Sequence, residues 1–365
     1  QTVSFWDCGE YIATAYKLEV GHPPGAPLFQ LFGRIFSLFA AQGTSEVAVA
    51  INVMSAICSS FTILFLFWTI TAFAKRIFLK TKKEIEGSKM IAVLGSGIVG
   101  ALSYTFSDSF WFSAVEGEVY AMSSLFTAVT FWCIMKWEEE ADQPQASRWL
   151  VLIGYLIGLS IGVHLLSLLT IPAMGMIYYF KKYDYTKTGA IKAFILSMVI
   201  LGVVQGVIIP GAVSLISTFE LFFVNTIGLP FNSGTIIYFL TITGAITFGL
   251  IYTKKHHKPI WNTAILGVMM MLIGYSSFAI LVVRSNANPP IDENNPEDAV
   301  GLLSYLKREQ YGSWPIVYGQ HFNAKLDSRK PYIDGNPIYA KDEKKGKYVI
   351  IDQRKNTVPN YSKKD

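Results

Sequence analysis

Four carboxylates stand in two short segments whose spacing suits acid–base chemistry. Asp7 and Glu10 lie three residues apart and share one face if their segment is helical. Glu116 and Glu118 precede Tyr120 at the head of an apolar run. Acids at membrane depth are costly and usually face a cavity or a partner. A carboxylate held in this way can take a proton from a hydroxyl group.

Four candidate cationic groups accompany these acids. His22 and Pro23 open a proline-rich turn, and Arg34 interrupts an amphipathic stretch. His164 lies in an apolar hairpin, where a histidine is either a satisfied packing residue or a ligand. Arg284 follows the last apolar run and is either a snorkelling anchor or a functional cation. Cations beside carboxylates suit a substrate that carries a phosphate.

The composition places the chain in a membrane. Of its 365 residues, 52% are hydrophobic and 16% are charged, and the mean hydropathy is +0.37, unlike ordinary soluble domains. The net charge of +5 comes from basic residues in short loops between apolar runs, so it indicates orientation and excludes nucleic-acid binding. The apolar runs are 45–74, 90–106, 116–135, 149–180, 191–209, 236–252 and 262–283.

The distribution of lysine and arginine orients these runs. Basic residues concentrate in 75–89, 181–192 and 254–258, whereas 107–115 and 210–235 contain none. By the positive-inside rule the basic loops are cytoplasmic. We therefore expect all the candidate site residues on the outer side of the membrane.

The run 149–180 is too long for one crossing, since a helix of that length measures about 48 Å against a core of about 30 Å. A single span would also carry the lysines of 181–192 to the outer side. We predict two short spans that turn near His164, with Pro172 in the second. The predicted fold class is then an all-α polytopic membrane protein with about eight spans.

Three regions follow along the chain. Residues 1–44 are predicted to form an outer catalytic loop, with a helix over Ala26–Phe39 lying in the interface. Residues 45–284 form the transmembrane bundle, and 285–365 form a polar extracytoplasmic tail or the start of a soluble domain. Because the chain begins at Gln1, we expect an earlier membrane span to precede it.

The tail has mixed composition. The charged run Lys341–Lys345 is typical of a loop or linker. Trp314–Tyr318 and Tyr348–Ile351 are predicted as short strands because β-branched and aromatic residues dominate them.

An outer cavity with carboxylates beside cations suits a lipid-phosphate leaving group and an acceptor hydroxyl that needs a base. The reaction predicted from this arrangement is glycosyl transfer. The sequence identifies no definite cofactor, but the carboxylates could hold Mg²⁺ or Mn²⁺. Cys8, Cys58 and Cys133 are too scattered for a disulfide framework or a zinc site, and we interpret them as small apolar residues.

Two other classes compete with this hypothesis. A transporter or flippase of lipid-linked substrates also carries intramembrane acids, but it favours polar residues at the centre of the spans. A membrane anchor for a larger outer domain would use the tail as its working part. The clustering of polar residues at the outer ends of the spans favours the enzyme.

Four segments carry a resemblance to a known family. They are Ser4–Ala13, Gly21–Leu28, Glu116–Tyr120 and Gly158–His164. These segments resemble a bacterial membrane family, DUF2723, in the form found in Bacteroidota. That family is similar to protein O-mannosyltransferases of the GT-C class. The resemblance covers most of the membrane region.

The resemblance implies a catalytic acid at Asp7, acting as general base toward a Ser or Thr hydroxyl. It implies a polyprenyl-phosphate sugar donor, an extracytoplasmic acceptor protein, surrounding membrane lipids, and a site facing the periplasm from a bacterial inner membrane. The mannosyltransferases have an adjacent Asp-Glu pair, whereas Cys8 and Gly9 separate Asp7 from Glu10. Glu10 is therefore expected either to position the acceptor or to brace the loop.

Overall fold

The computed structural model describes residues 3–40, 43–79, 87–312 and 323–357. Helices dominate these residues, in agreement with the predicted polytopic membrane fold. The helices are α1 (Cys8–Lys17), α2 (Pro27–Ser37), α3 (Val47–Leu79), α4 (Ser88–Thr105), α5 (Asp108–Ala114), α6 (Val119–Glu140), α7 (Ser147–Ile161), α8 (Thr170–Lys182), α9 (Lys187–Val203), α10 (Ile209–Leu221), α11 (Ser233–Lys255), α12 (Pro259–Tyr275), α13 (Ala279–Ser285) and α14 (Ala299–Leu306). The strands are β1 (Tyr332–Asp342) and β2 (Lys347–Thr357).

The contacts divide the chain into two compact units. The first comprises Gln1–Gly21, Gly25–Ile208 and Ala245–Asp292, and the second comprises His22–Pro24, Ile209–Gly244 and Glu293–Asp365. The first unit contains the predicted acids, and the second contains the hairpin of the tail.

Five helical stretches among the described residues are long and apolar enough to cross a membrane, and a sixth is a pair bent by 72° between α4 and α5. A multi-pass membrane protein follows from this. The five stretches are Thr44–Phe78, Val119–Glu140, Lys187–Ile227, Ser233–Lys255 and Pro259–Ser285.

The predicted break in the run 149–180 is confirmed. Helix α7 ends at Ile161, and a 3₁₀ turn over Leu165–Leu169 leads into α8. With 15 and 13 residues, α7 and α8 measure about 22 and 20 Å. Both are shorter than the five helical stretches that are long enough to cross a membrane.

The prediction that 210–235 is a loop is wrong. Helix α10 and a π-helical segment (Phe222–Ile227) fill most of it. Another π-helical segment (Val204–Ile208) directly precedes α10. Pro210 lies beside this π-helical distortion, where its missing N–H disturbs the helix least. The absence of lysine and arginine, which we interpreted as a sign of an outer connection, is equally typical of an apolar helix.

Small residues bring α7 and α12 together in the first unit. A side chain at Gly154 would lie 2.5 Å from the backbone oxygen of Gly267, and one at Gly274 would lie 2.5 Å from the backbone nitrogen of Leu159. Helix pairs in membranes commonly rely on such close backbone approach. This pairing supports the end of α7, where the chain turns toward His164.

The amphipathic stretch Ala26–Phe39 does form a helix, α2, whose location at the interface remains a prediction. Phe29 and Gln30 are buried, while Phe32 and Ile35 are exposed on the other face. A side chain at Gly33 would come within 2.8 Å of Ala15 Cβ, so the glycine lets α2 pack closely on α1.

The hairpin of the second unit corrects the interpretation of the tail. The predicted strand Tyr348–Ile351 lies within β2, whereas Lys341 and Asp342, predicted as linker, are the end of β1. Tyr348 pairs with Lys341 in an antiparallel register. Lys344 and Lys345 fit this place because they lie in the exposed turn between the strands. The predicted strand 314–318 lies outside the described residues.

Candidate active site

The acidic segment at the head of α6 is inserted between α1 and α3. A side chain at Gly117 would lie 2.9 Å from Ile12 Cγ1 and 3.1 Å from both Asn52 Oδ1 and a methyl carbon of Ile51. Only glycine fits there without displacing its neighbours. The flanking residues Glu116 and Glu118 are 4% and 6% exposed. Two carboxylates are thereby held in the protein interior.

Residues from the start of the chain bind the first of these carboxylates. Ser4 Oγ donates to Glu116 Oε2 at 2.9 Å, and Cys8 Sγ lies 3.6 Å from the same oxygen. Cys8 is fully buried. Burial, together with the negative charge of Glu116 and Glu118, raises the pKa of the Cys8 thiol to about 11. Cys8 is therefore a neutral thiol that donates to Glu116.

Asp7 and Glu10 occupy the N-terminal end of α1. Asp7 is the N-cap residue and Glu10 is in the first turn, where the helix dipole favours negative charge. Both side chains are half-buried. The preceding residue, Trp6, is exposed and has a positive φ of 73°, a conformation that costs free energy in a non-glycine residue.

Tyr11 shows that the acids of the two segments share one environment. Burial raises the pKa of the Tyr11 hydroxyl, and the negative charges of Glu118, Asp7 and Glu10 raise it further. The ring of Tyr11 packs edge-on against Phe29 of α2, with centroids 5.5 Å apart. The structure therefore brings acids from both predicted segments around a neutral phenol.

His164 joins this site through Tyr120. The two rings lie 5.5 Å apart. His164 Nδ1 accepts a hydrogen bond from the backbone N–H of Leu166 at 3.2 Å. In this geometry the imidazole is neutral and Nε2 carries the proton, so that it is a donor. Burial also lowers the pKa of His164, which favours the neutral form.

The two predicted arginines hold the C-terminal end of α1. Arg34 Nη1 donates to the Tyr16 carbonyl at 2.6 Å, and the guanidinium lies 5.6 Å from the centre of the Tyr16 ring. Arg284 Nε donates to the Leu18 carbonyl at 2.5 Å, and its Nη2 donates to the Lys17 carbonyl at 3.3 Å. Cations in these positions satisfy helix-end carbonyls.

His22 and Pro23 belong to the second unit, in which His22 is half-buried and Pro23 is buried. Gly21, the preceding residue, belongs to the first unit. A side chain at Gly21 would lie 2.6 Å from Glu10 Oε1. Contacts of His22 and Pro23 with a substrate remain a prediction.

Sequence reasoning missed several residues of the site. Ser4 and Tyr11 were not considered, and Cys8 was interpreted as a packing residue. The available signal was weak: Tyr11 lies one helical turn after Asp7, and its N–H donates to the Asp7 carbonyl at 3.0 Å. The contact of Ser4 and Cys8 with Glu116 joins residues more than 100 positions apart, so local spacing gives no sign of it.

Among the described residues, one group of His, Cys, Asp and Glu side chains has ligand atoms close enough together for a metal ion. The ligand atoms of Cys8, Glu116 and Glu118 lie within 4.8 Å of one another. The two carboxylates suit a hard cation such as Mg²⁺ or Mn²⁺, whereas the thiol suits softer metals. The residues present therefore fit a divalent ion of this kind through their oxygen atoms.

Comparisons with known proteins bear on this half of the chain. Residues 7–187 match the family model of the protein O-mannosyl-transferase TMEM260 N-terminal domain. The match includes both acid segments and His164, but not Arg284. Residues 312–365 match the model of a family of unknown function. No solved structure matches the chain.

Two curated relatives have the same description. Protein O-mannosyl-transferase tmem260 of Dictyostelium discoideum is 31% identical over 128 residues, which is 35% of this chain and 14% of that protein. Protein O-mannosyl-transferase TMEM260 of Mus musculus is 25% identical over 155 residues, which is 42% of this chain and 19% of that protein. The chain thus resembles an O-mannosyl-transferase-like family, and the similarity spans under a fifth of each relative.

Proposed function

We propose that this protein is a membrane glycosyltransferase of the GT-C class. It moves a sugar, mannose or a similar hexose, from a polyprenyl-phosphate donor to a Ser or Thr hydroxyl of an extracytoplasmic protein. The observation that carries the proposal is the contact between the two acid segments, in which Cys8 Sγ of α1 lies 3.6 Å from Glu116 Oε2 and Gly117 packs against Ile12. Both segments lie within the part of the chain that matches the O-mannosyl-transferase family.

Asp7 is the general base. It is half-buried and therefore accessible to a substrate, whereas Glu116 is enclosed and already accepts hydrogen bonds from two donors. Asp7 takes the hydroxyl proton as the acceptor oxygen bonds to the anomeric carbon. The bond from that carbon to the phosphate oxygen breaks, and polyprenyl phosphate leaves with the electron pair.

The other residues of the site stabilise the departing phosphate or position the acceptor. The Nε2–H group of His164 donates to the departing phosphate, which gains negative charge in the transition state. A phosphate needs no general acid, so stabilisation of its charge and exclusion of water are the chief requirements. Glu116 and Glu118 would hold the divalent ion, and such an ion would supply positive charge to the leaving group. Glu10 positions the acceptor.

The predicted membrane orientation completes the proposal. Basic residues in the alternate loops support a site on the outer side of the membrane. In our proposal that membrane is a bacterial inner membrane, as the resemblance to the bacterial family implies, so the site faces the periplasm. The polyprenyl chain then lies among the helices of the first unit, and the acceptor approaches from the periplasm.

Transfer of radiolabelled mannose from polyprenyl-phosphate-mannose to periplasmic protein, in membranes that contain the full-length protein, tests the proposal. We expect Asp7→Asn to lower the rate by about 10²–10⁴, the usual contribution of a general base. Asp108→Asn is the matched control, because Asp108 is an exposed acid in the first turn of α5.

Equal transfer by the parent and Asp7→Asn would remove Asp7 from the mechanism. A parent protein that transfers no sugar, while it moves the lipid-linked donor between leaflets, would identify a flippase instead. If residues 285–365 alone retained the biological function of the full protein, the membrane part would be an anchor for an outer domain.

A further inference from the structure

The second unit contains a cleft that the proposed reaction does not use. It has a volume of about 790 Å³ and lies between α10, α14 and the β1–β2 hairpin. That volume is within the range of about 300–1,000 Å³ typical of sites for small ligands. Part of its wall, including Tyr339 and Tyr348, falls in the segment that matches a family of unknown function.

A buried tyrosine makes the wall of this cleft rigid. Tyr348 is 4% exposed, and its hydroxyl lies 3.2 Å from Asp298 Oδ2 and 3.5 Å from Glu220 Oε1. The side-chain amide of Asn225 binds both backbone groups of Tyr348, at 2.8 and 2.9 Å. The hairpin is thus fixed to α10 and to the loop before α14.

The same carboxylates organise the helices around the cleft. Asp298 Oδ1 accepts from the N–H groups of Val300 and Gly301 at 2.9 and 2.8 Å, which caps α14. Glu220 accepts from the N–H groups of Asn232 and Thr235 at 2.5 and 2.9 Å, which caps α11. The cleft is therefore formed before any ligand arrives, so that binding does not have to order it.

The charges that line the cleft balance. Three basic and three acidic side chains contribute, a formal sum of zero, and at least two contacts pair opposite signs: Lys341 lies 3.3 Å from Asp298, and Arg354 lies 3.2 Å from Glu309. A strongly charged ligand would meet repulsion from one set of these groups. The charged lining residues are Glu297, Asp298, Lys307, Glu309, Lys341 and Arg354.

The remaining lining side chains offer both donors and acceptors beside apolar surface. Asn294 and the side-chain oxygen of Asn336 contribute amide groups, while Ile338 and Tyr339 contribute apolar area. Ser304 Oγ and Asn336 Nδ2 already donate to Glu309. A sugar hydroxyl both donates and accepts, and the apolar face of a sugar ring packs against an aromatic side chain. We propose that this cleft binds a neutral oligosaccharide.

Ligand-observed NMR on the full chain in nanodiscs tests the proposal, with mannotriose, maltotriose and cellotriose as probes. We expect saturation transfer to at least one trisaccharide and a dissociation constant in the millimolar range or below. Tyr339→Ala and Lys307→Ala should each weaken binding about tenfold, the equivalent of about 1.4 kcal/mol. Tyr332→Ala and Lys355→Ala, which change residues of the same types outside the cleft lining, should leave it unchanged.

The alternatives are separable in this assay. Lys307 is exposed, so Lys307→Ala keeps the fold even if Tyr339→Ala disturbs the hairpin. Thermal unfolding of each variant shows whether weaker binding comes from a lost contact or from a lost fold. Failure of all three sugars to bind, or binding that Lys307→Ala and Tyr339→Ala leave unchanged, overturns the proposal. Binding of a neutral Ser/Thr-rich peptide without any sugar would make the cleft a peptide site. No donor lipid is present, so the result is independent of the transfer reaction.

Discussion

Replacement of Gly117 by alanine tests whether the acid segment is held as tightly as its packing indicates. The added methyl group would lie 2.9–3.1 Å from Ile12, Ile51 and Asn52, so these neighbours must move by a few tenths of an ångström. Overpacking of this kind costs about 1–3 kcal/mol. We expect Gly117→Ala to lower the free energy of unfolding by that amount and to shift Glu116 and Glu118 from their positions.

Gly95→Ala is the matched control. Gly95 lies in α4, and nothing approaches within 4 Å of a side chain placed there. Alanine is favoured over glycine in a helix by about 0.5–1 kcal/mol, so this variant should be slightly more stable than the parent. Unfolding of both variants in detergent micelles, followed by circular dichroism, measures the difference, and sugar transfer measures the effect on the site. Equal stability of the two alanine variants would refute the packing argument.

Three further predictions concern single side chains. The Cys8 thiol, with its raised pKa of about 11 and full burial, should react slowly with iodoacetamide at pH 7.5. Glu116→Gln removes a neighbouring negative charge and so lowers the pKa of the thiol. The variant should therefore react faster than the parent, as mass spectrometry would show. His164→Asn should keep the turn cap and lose the Nε2–H donor, so transfer falls while the melting temperature holds, whereas His164→Ala should also lose about 1 kcal/mol of stability. Tyr348→Phe should lose about 1–3 kcal/mol by leaving two carboxylates without their shared donor, measured by thermal unfolding against Tyr332→Phe, in which the ring is half exposed.

The sequence was sufficient for features that depend on local pattern. Length and hydropathy predicted a membrane protein, and the excessive length of 149–180 predicted the break at His164. The β-branched and aromatic residues around Tyr348 predicted a strand. Each of these signals is contained in a short window of residues.

Features that depend on long-range contacts or on ambiguous composition were not predictable. The bond from Ser4 to Glu116 joins distant parts of the chain, and Cys8 has no local sign that it lies beside a carboxylate. The charge-free segment 210–235 is compatible with both a loop and an apolar helix. In the structure this segment is helical. Its buried acid, Glu220, accepts hydrogen bonds from backbone N–H groups at the start of the next helix, α11.

Arg34 and Arg284 stabilise the helix that carries Asp7 and Glu10. Both bind carbonyl groups at the C-terminal end of α1, whereas Asp7 and Glu10 lie at its N-terminal end, a distance of about 15 Å for ten helical residues. Helix α1 therefore has its far end fixed by Arg34 and Arg284, and its near end fixed by the contact of Cys8 with Glu116. A general base must be held within a fraction of an ångström of its substrate. Anchoring a short helix at both ends holds the backbone of Asp7, the proposed general base, in a fixed position.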